Sequence, residues 1–442
     1  LLLSMAAVYI ITNAQSTTLS GVVKDSAAGE HVAGAQVFLH RHNSAAPIRR
    51  TTTNRLGFFT FANLTAGEYM LAAQHFQSAR TQRGVVLPDS VEEIHLELYI
   101  EPGSVQFPEI VVEGEARPDR TPIPVHEIQP ELMRSLPSLG GEPDVFRPLL
   151  FLPGVKLGTE LLGGLHVRGS SPDQNLVLLD GMSLLNPTHV GGLISVFSPD
   201  IVGSVRLTKD MTRTAYGGRT ASLLEVETKE TARHQWGGSA GVSFLASRLT
   251  LDGPVTDQAG ILLSARRLYA DAFVPLVGDP VKTPRYYFYD MNMKLRFDAS
   301  SRDRLTLTAY SGRDVLWRSH DNSDIHFDID WGNTAASLRW LRVLSPSVLL
   351  STSVSFTSFS SSTSILSTLK VQNADWHSRS TIADISLRSD VEIVLGDEER
   401  LHLGGEVTRN EYAAEAEDRH FGKSLAMPAR HALDVAAYVQ HH

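Results

Sequence analysis

Histidines are the residues of this sequence whose chemistry an enzyme would use most readily. A zinc hydrolase binds its metal with His and Glu at a fixed spacing, such as HExxH on one helix face. The histidines of the first hundred residues show no such spacing; they are His31, His40, His42 and His75. We interpret them as surface or turn residues and expect no metal ligand among them.

The acidic segment 321–330 is a second candidate, because Asp321, Asp324, Asp328 and Asp330 could bind a cation. A solvated loop explains the same composition. The sequence has no nucleophile elbow, no recognisable pair of catalytic carboxylates and no cysteine. We therefore expect no enzyme, with no catalytic residue, no metal site and no cofactor, although side chains distant in sequence can always assemble in space.

The composition is that of a folded, mildly acidic chain. Hydrophobic residues make up 42% of the 442 residues, and the formal net charge is -9. This length allows two or three domains. No cluster of Lys and Arg interleaved with aromatic residues is present to neutralise a phosphate backbone, so we expect no nucleic-acid partner.

The first residues form an uncharged apolar run, LLLSMAAVYIITNA, at positions 1–14. This pattern is typical of a signal peptide whose basic start is missing, although a buried strand or helix would also fit. No later segment reaches the ~20 consecutive apolar residues of a membrane helix. If the chain crosses a membrane, we expect it to do so as a β-barrel.

Short strands are predicted for residues 16–100, where apolar and polar residues alternate between turns rich in Gly, Asn, Asp and Ser. The ordered segments 21–25, 32–37, 53–61 and 64–69 resemble the carboxypeptidase regulatory-like domain. That resemblance implies a transthyretin-like β-sandwich, which is an accessory module and not a peptidase.

The composition changes to Pro, Gly, Glu and Arg over residues 101–120, which is typical of a linker. Within it lies a short β-prone run, Glu109, Ile110, Val111 and Val112. An unpaired strand can add to the sheet of another protein through main-chain hydrogen bonds. An ordinary linker strand is the alternative interpretation.

A series of motifs follows between residues 121 and 230. They are Leu-Pro-Gly-Val at 152–155, His-Val-Arg-Gly at 166–169, Gln-Asn-Leu-Val-Leu-Leu-Asp-Gly at 174–181, Asn-Pro-Thr-His at 186–189, Phe-Ser-Pro-Asp-Ile-Val at 197–202, Ala-Tyr-Gly-Gly-Arg at 215–219 and Leu-Glu-Val-Glu-Thr-Lys at 224–229. Together they resemble the plug domain of TonB-dependent outer-membrane receptors almost continuously. An apolar run suited to a buried strand, followed by Asp180-Gly181, fits a compact α/β domain with a tight turn.

The resemblance implies roles for particular residues. The run from Glu109 to Val112 resembles the TonB box, which a TonB-type periplasmic energising protein binds. Arg168 and Arg219 resemble plug arginines that retain the plug, and a guanidinium can reach barrel carboxylates as a multidentate donor. Solvated surface arginines are the alternative. His189 could face the ligand side, but a single His near a turn is more often structural, and we interpret it as a structural residue.

Residues 235–442 show period-two alternation, for example at 353–357 and 383–388. Strands with one lipid face and one water-lined face have this pattern. At about 20 residues per strand and connection the region accommodates roughly ten strands, whereas plugged transporters have about 22. We therefore expect a truncated barrel; a soluble sandwich would give the same periodicity.

The predicted chain is mainly β: an N-terminal transthyretin-like β-sandwich, a small α/β plug and antiparallel strands of an incomplete transmembrane β-barrel. The implied function is TonB-dependent import of a scarce external small ligand, such as a ferric siderophore, cobalamin, an oligosaccharide or a peptide. The expected partners are the energising protein, outer-membrane lipid and that ligand. The expected location is the outer membrane of a Gram-negative bacterium, with the sandwich and plug on the periplasmic side. A surface structural or adhesive β-protein is the alternative, which would need neither the plug motifs nor the Glu109 to Val112 run.

Overall fold

The computed structural model describes residues 17–26, 31–32, 34–41, 46–54, 57–75, 80–88, 93–101, 125–128, 130–136, 142–158, 164–209, 214–232, 235–269, 271–272, 283–300, 302–318, 325–345, 347–369, 372–395 and 399–441. Over these residues the chain forms a β-sandwich, a small mixed domain and a long antiparallel sheet. None of the helices among them is long and apolar enough to cross a membrane. The predicted signal-peptide remnant and the Glu109 to Val112 run lie outside the described residues.

The N-terminal sandwich consists of two packed sheets with strand orders β4-β1-β7 and β3-β2-β5-β6. Its strands are β1 (Thr17–Asp25), β2 (Gln36–Arg41), β3 (Arg49–Thr52), β4 (Phe58–Leu64), β5 (Gly67–Gln74), β6 (Thr81–Leu87) and β7 (Glu93–Ile100). Alternate side chains of both sheets point between them, because successive residues of a strand face opposite sides. They form one apolar core that includes Leu19, Phe59, Phe61, Leu71 and Leu98.

A mixed domain, here called the plug, follows. Its central sheet has the order β12-β11-β16-β15-β8, in which β11 and β16 are parallel and the other neighbours antiparallel. The hairpins β9-β10 and β13-β14 and two short helices complete it. Its elements are β8 (Val125–Ile128), α1 (Pro130–Ser135), α2 (Phe146–Leu149), β9 (Val155–Leu157), β10 (Leu165–Val167), β11 (Asn175–Leu179), β12 (Met182–Ser183), β13 (Thr188–His189), β14 (Ile194–Ser195), β15 (Val202–Thr208) and β16 (Ser222–Thr228), with 3₁₀ turns at Pro172–Gln174 and Val190–Gly192.

The turn between β11 and β12 is formed by Asp180 and Gly181, as predicted. Both residues have positive φ angles, 47° and 86°, which a type I′ hairpin turn requires. The Asp180 carboxylate also accepts hydrogen bonds from the backbone N–H of Thr228 (2.9 Å) and from its hydroxyl (2.6 Å). These hydrogen bonds attach the turn to the end of β16, where the chain leaves the plug.

The remaining strands form one antiparallel sheet in sequential order, here called the barrel wall. Among the described residues it has ten strands, β17 to β26, with β17 and β26 at its edges. They are β17 (Gly237–Val242), β18 (Ala246–Thr256), β19 (Ala259–Leu268), β20 (Arg285–Asp298), β21 (Asp303–Arg318), β22 (Ile325–Ser345), β23 (Val348–Leu369), β24 (Gln372–Val394), β25 (Arg400–Asp418) and β26 (Lys423–His441). This number agrees with the sequence prediction.

The two faces of the barrel wall differ in polarity. Large apolar side chains are exposed on the outer face, including Leu251, Met291, Phe356 and Leu387. The alternate, inner-face positions carry buried polar residues, including Arg266, Asp290, Lys294, Asp314 and Asn333. A soluble sandwich would bury its apolar face instead, so this arrangement is that of a membrane barrel. The predicted fold class, including the antiparallel barrel strands, is confirmed.

Candidate functional site

The plug lies against the inner face of the barrel wall but has an apolar core of its own. That core includes Phe146, Val205 and Leu224 of the plug, and the wall contributes Tyr310 and Ala335 to it. Most other contacts between the two bodies are hydrogen bonds and ion pairs. This polar plug–wall interface is the candidate functional site.

His189, at the end of β13, lies at the centre of the interface. Its Nδ1 atom is 2.7 Å from Oδ2 of Asp314, and its Nε2 atom is 2.9 Å from Oδ1 of Asp290. All three side chains are at most 2% exposed. Because an ionised carboxylate only accepts hydrogen bonds, both ring nitrogens must donate, as they do in the imidazolium form. His189 is therefore a buried cation held between two wall carboxylates.

Arg266 on β19 is a second buried cation in the same cluster. Its Nε and Nη2 atoms lie 2.9 and 2.6 Å from Oδ2 of Asp290, and Nη2 also donates to the Ser195 carbonyl oxygen of the plug at 2.8 Å. The Tyr310 hydroxyl donates to Oδ1 of Asp290 at 2.8 Å. Two cations face two carboxylates here, so removal of any one of the four would leave a buried charge without compensation.

The surroundings of His189 favour its charged form. Burial alone would lower the pKa of His189, but the carboxylates of Asp290 and Asp314 outweigh burial and raise the pKa to about 9. The imidazole stacks on Phe288 with ring centroids 3.9 Å apart and planes within 1°. Cations lie favourably against aromatic faces. At neutral pH His189 therefore carries its second proton.

The residue after His189 has a strained backbone. Val190 has a φ of 51°, a conformation that β-branched residues rarely adopt and that costs on the order of 1–3 kcal/mol. Its N–H donates to the Tyr286 hydroxyl of the wall at 2.9 Å, and that hydroxyl donates to Asp314. The wall thus holds a strained plug segment in place, so separation of the two would release strain.

Asn333 and Arg339 of the wall also bind main-chain carbonyl groups of the plug. Nδ2 of Asn333 donates to the Asn186 carbonyl oxygen at 2.8 Å. Nη2 of Arg339 donates to the carbonyl oxygen of Asp180, in the β11–β12 turn, at 2.6 Å. Such contacts depend on the position of the plug backbone and not on its side chains.

Ion pairs at the start of the wall complete the interface. Arg248 on β18 lies 3.7 Å from Glu142 and 3.3 Å from Asp200, both in the plug. The Ser243 hydroxyl donates to Oε1 of Glu142 at 2.7 Å. Glu142 is 2% exposed, so a second buried charge of the plug, after His189, is compensated by the wall.

The apolar contacts between plug and wall are limited: Tyr310 and Ala335 join the plug core, and Ile194 packs with Ala246, Leu268 and Phe288. Opening such an interface mainly separates polar groups. Separated polar groups regain water, whereas an apolar core would lose its burial energy. Each contact nevertheless requires close geometry, because unpaired buried polar groups are costly. The arrangement therefore holds the plug in one position and remains compatible with its release.

The predicted plug-retention residues lie away from this cluster. Arg168 is exposed, directly after β10, and has a φ of 52°. Arg219 is half-buried and donates to the carbonyl oxygen of Gly218 at 3.2 Å. Their role in plug retention stays a prediction. No group of His, Asp and Glu within the described ranges could hold a metal ion; Asp321 and Asp324 fall outside those ranges.

The sequence interpretation did not find Arg266, Asp290 or Asp314. One signal was available, because each is a charged residue at an inner-face position of a strand whose other face is apolar. Many inner-face positions of a barrel are polar, however, so this signal does not show which residues reach the plug. Tyr286 on β20 also faces inward, and its hydroxyl donates to Asp314.

Comparison with known proteins assigns the N-terminal domain and the overall fold. Residues 18–99 match the carboxypeptidase regulatory-like domain. No curated protein sequence matches the chain. Among solved structures, the copper transporter OprC aligns over 73% of this chain and 52% of its own, with 14% sequence identity and a TM-score of 0.52.

Two further structures align similarly. The outer membrane transporter YddB from Escherichia coli has 13% identity, covers 72% of this chain and 53% of its own, and gives a TM-score of 0.50. The siderophore receptor PirA from Pseudomonas aeruginosa has 16% identity, covers 73% and 53%, and gives a TM-score of 0.50.

These identities establish the fold. The chain has a regulatory-like sandwich followed by the plug-and-barrel fold of outer-membrane transporters and receptors, which agrees with the resemblance to TonB-dependent receptors found in the sequence. It spans about half the length of these solved structures. All three are named as transporters or receptors.

Proposed function

We propose that this chain is part of an outer-membrane importer in which the plug gates the lumen of the barrel. The observation that carries the proposal is the plug–wall interface, in which His189 lies between Asp290 and Asp314. A domain with its own core, held by a small number of compensated polar contacts, can be displaced as a unit. A structural or adhesive β-protein would have no need for a separable domain inside its barrel.

The outer face of the wall supports a location in the outer membrane. Exposed apolar residues such as Leu251 and Phe356 alternate with inward polar residues, so lipid is the partner that fits the outer face. In the proposed orientation the sandwich and plug lie on the periplasmic side.

Energy for opening would come through the Glu109 to Val112 run. We infer that a TonB-type periplasmic protein adds this run to its own sheet as an extra strand and pulls on the plug. Arg168 and Arg219 would help to retain the plug until that happens. A pulled segment upstream of β8 transmits force directly into the plug sheet, because β8 is its edge strand.

The cargo would be a scarce external small ligand, of which a ferric siderophore, cobalamin, an oligosaccharide and a peptide are the candidates. OprC and PirA are named for copper and siderophores, which fits cargo of this kind. Ligand binding can favour opening only if the ligand binds the two plug states with different affinity.

The first test is a pull-down of the full-length receptor by the periplasmic domain of its TonB partner. Deletion of residues 109–112 should abolish binding, while a deletion of equal length elsewhere in the linker, residues 115–118, should leave binding unchanged. Equal binding by both deletion variants would overturn the docking assignment. Absence of binding by the intact receptor would favour the adhesive protein instead.

A further inference from the structure

The sandwich contacts the barrel wall at one end of the sheet, here called the proximal rim. This rim is the end of the sheet at which β18 is followed by β19, β20 by β21, β22 by β23 and β24 by β25. On β21, Nη1 and Nη2 of Arg304 lie 2.8 and 3.1 Å from Nδ1 and Nε2 of His31 in the sandwich. Arg304 also pairs with Asp298 at 2.7 Å.

A second contact lies several strands away on the same rim. Nδ2 of Asn54 in the sandwich donates to Oε2 of Glu392 on β24 at 3.2 Å. Arg400 on β25 donates to the carbonyl oxygen of Thr52 and pairs with Glu392 at 3.0 Å. The sandwich therefore touches both β21 and the β24–β25 pair.

These wall residues all lie on the inner face. Arg304 is separated by an even number of positions from the inward residues Tyr310 and Asp314, as Glu392 is from the inward Arg388, which contacts the plug at Tyr216. A domain that contacts the inner side of two separate parts of the rim lies across the mouth of the barrel and beneath the plug.

The contact at Arg304 continues toward the plug through ion pairs. Asp298 lies 3.5 Å from Arg296, and Arg296 lies 3.7 Å from Glu230. Glu230 belongs to the segment that connects β16 of the plug with β17 of the wall, and it also lies 3.5 Å from Lys294. The ion pairs that start at Arg304 and the ion pair with Lys294 thus meet at the carboxylate of Glu230.

Lys294 holds this connecting segment through its main chain. Its Nζ atom donates to the carbonyl oxygens of Thr228 (3.2 Å) and Lys229 (3.3 Å). Burial alone would raise the pKa of Glu230, but Lys294, Arg304, Arg296 and His31 outweigh burial and hold the pKa well below its usual range. The Glu230 carboxylate, at the exit of the plug, is therefore held by cations of the wall that lie next to the sandwich contact.

We propose that the sandwich surface formed by His31 and residues 52–54 is a docking surface for the inner side of the proximal rim, and that docking fixes the segment joining plug and wall. The partner is the rim of the same molecule. The docked sandwich would have to leave the rim before the lumen could open on that side. The docking itself does not depend on the proposed import function.

Cross-linking of engineered cysteines tests this docking, because the 442 residues contain no cysteine of their own. Asn54→Cys and Glu392→Cys in the full-length protein, in isolated membranes, should be joined within one molecule by a short bismaleimide. The matched control is Gln82→Cys with Glu392→Cys. Gln82 is exposed on β6, at the far edge of the sheet that contains β3. Three strand spacings separate β6 from β3, which is about 14 Å.

Substitution of the rim arginine sharpens the test. Arg304→Gln should lower the cross-linking rate by a factor of roughly five at most, since a partly exposed contact with a charged group is lost. Arg342→Gln should leave the rate unchanged, because Arg342 lies on the same rim but pairs with Asp303 at 3.5 Å. Equal rates for the Asn54 and Gln82 pairs, or a product joining two molecules, would overturn the docking surface.

Hydrogen exchange tests the coupling to the plug separately. In the otherwise unchanged protein, Arg304→Gln should speed exchange of the amides in residues 229–232, and Arg342→Gln should not. If exchange in this segment is the same in both variants, docking does not fix the segment and that part of the proposal fails.

Discussion

The plug–wall contact at His189 and the sandwich–rim contact at Arg304 both join separate domains through charged groups, but they differ in burial. His189 and Asp290 are at most 1% exposed, whereas the Arg304 and Asp298 side chains are 12% and 20% exposed. Water screens the second contact more effectively than the first.

Because the two contacts differ in burial, we expect substitutions of their charged residues to have effects of different size. A buried charge that loses its partner costs several kcal/mol, while partly exposed ion pairs contribute about 0–1 kcal/mol. We therefore expect the sandwich to undock readily and the plug to stay in place until work is done on it. The predictions below test this contrast through the free energy of plug opening, measured by hydrogen-exchange mass spectrometry of plug peptides.

Asp290→Asn should have the largest effect. It leaves His189 and Arg266 without their shared carboxylate, and we expect the free energy of plug opening to fall by about 3–5 kcal/mol. Asp328→Asn is the matched control, because Asp328 is exposed on β22 and should give no change beyond about 0.5 kcal/mol. Similar effects for the two variants would remove the distinction between buried and exposed charges.

The plug–wall contact should also weaken at alkaline pH. The pKa of His189 rises from 6.5 to about 9 in the folded protein, so the folded protein binds an additional proton between these values. This contribution is complete below pH 6.5, is lost as pH rises through about 9, and amounts to roughly 3 kcal/mol. Plug opening should therefore become easier between pH 6.5 and 9.

His189→Gln is the control for that pH dependence. Glutamine can donate a hydrogen bond but does not titrate, so the slope of opening free energy against pH in this window should disappear. A slope that survives the substitution would assign the pH dependence to another group.

Asn333→Ala should have a smaller effect. It removes the 2.8 Å hydrogen bond to the Asn186 carbonyl oxygen, which should lower the free energy of plug opening by about 1 kcal/mol. The inward Ser337→Ala on the same strand serves for comparison. A loss as large as that of Asp290→Asn would show that neutral contacts hold the plug as strongly as buried charges do.

Arg219→Ala should have the smallest effect, below about 1 kcal/mol, since its guanidinium donates within its own turn at Gly218. A loss of several kcal/mol would instead support the predicted role of Arg219 in plug retention and would reduce the importance assigned to His189. The same measurement on Arg168→Ala covers the second predicted arginine.

The sequence predicted the architecture because the relevant signals are local. Period-two alternation in β23 and β24 reports which face is apolar, and Asp180-Gly181 needs only its own φ angles to form a turn. The N-terminal sandwich could be recognised for the same reason, since its turns and strands follow each other at short range.

The candidate site could not be predicted in the same way. The ion pairs of His189 join residues 101 and 125 positions apart in the chain, and no local pattern links them. The interpretation of His189 as structural included neither its burial nor its charge, because the carboxylates that raise its pKa come from two different strands of the wall. To predict such a pair, one would need to know how β20 and β21 are positioned against the plug.

The most direct test of a gated plug is chemical labelling at the plug–wall interface. Ser195 is fully buried there, beneath Arg266, and Ser195→Cys introduces a single thiol of similar size. Thr220→Cys, on an exposed plug position, is the control. In living cells a small maleimide should label Ser195→Cys faster when the proposed TonB-type partner is present than when it is deleted, with no such difference at Thr220→Cys. Equal labelling of Ser195→Cys in both strains would contradict displacement of the plug from the wall.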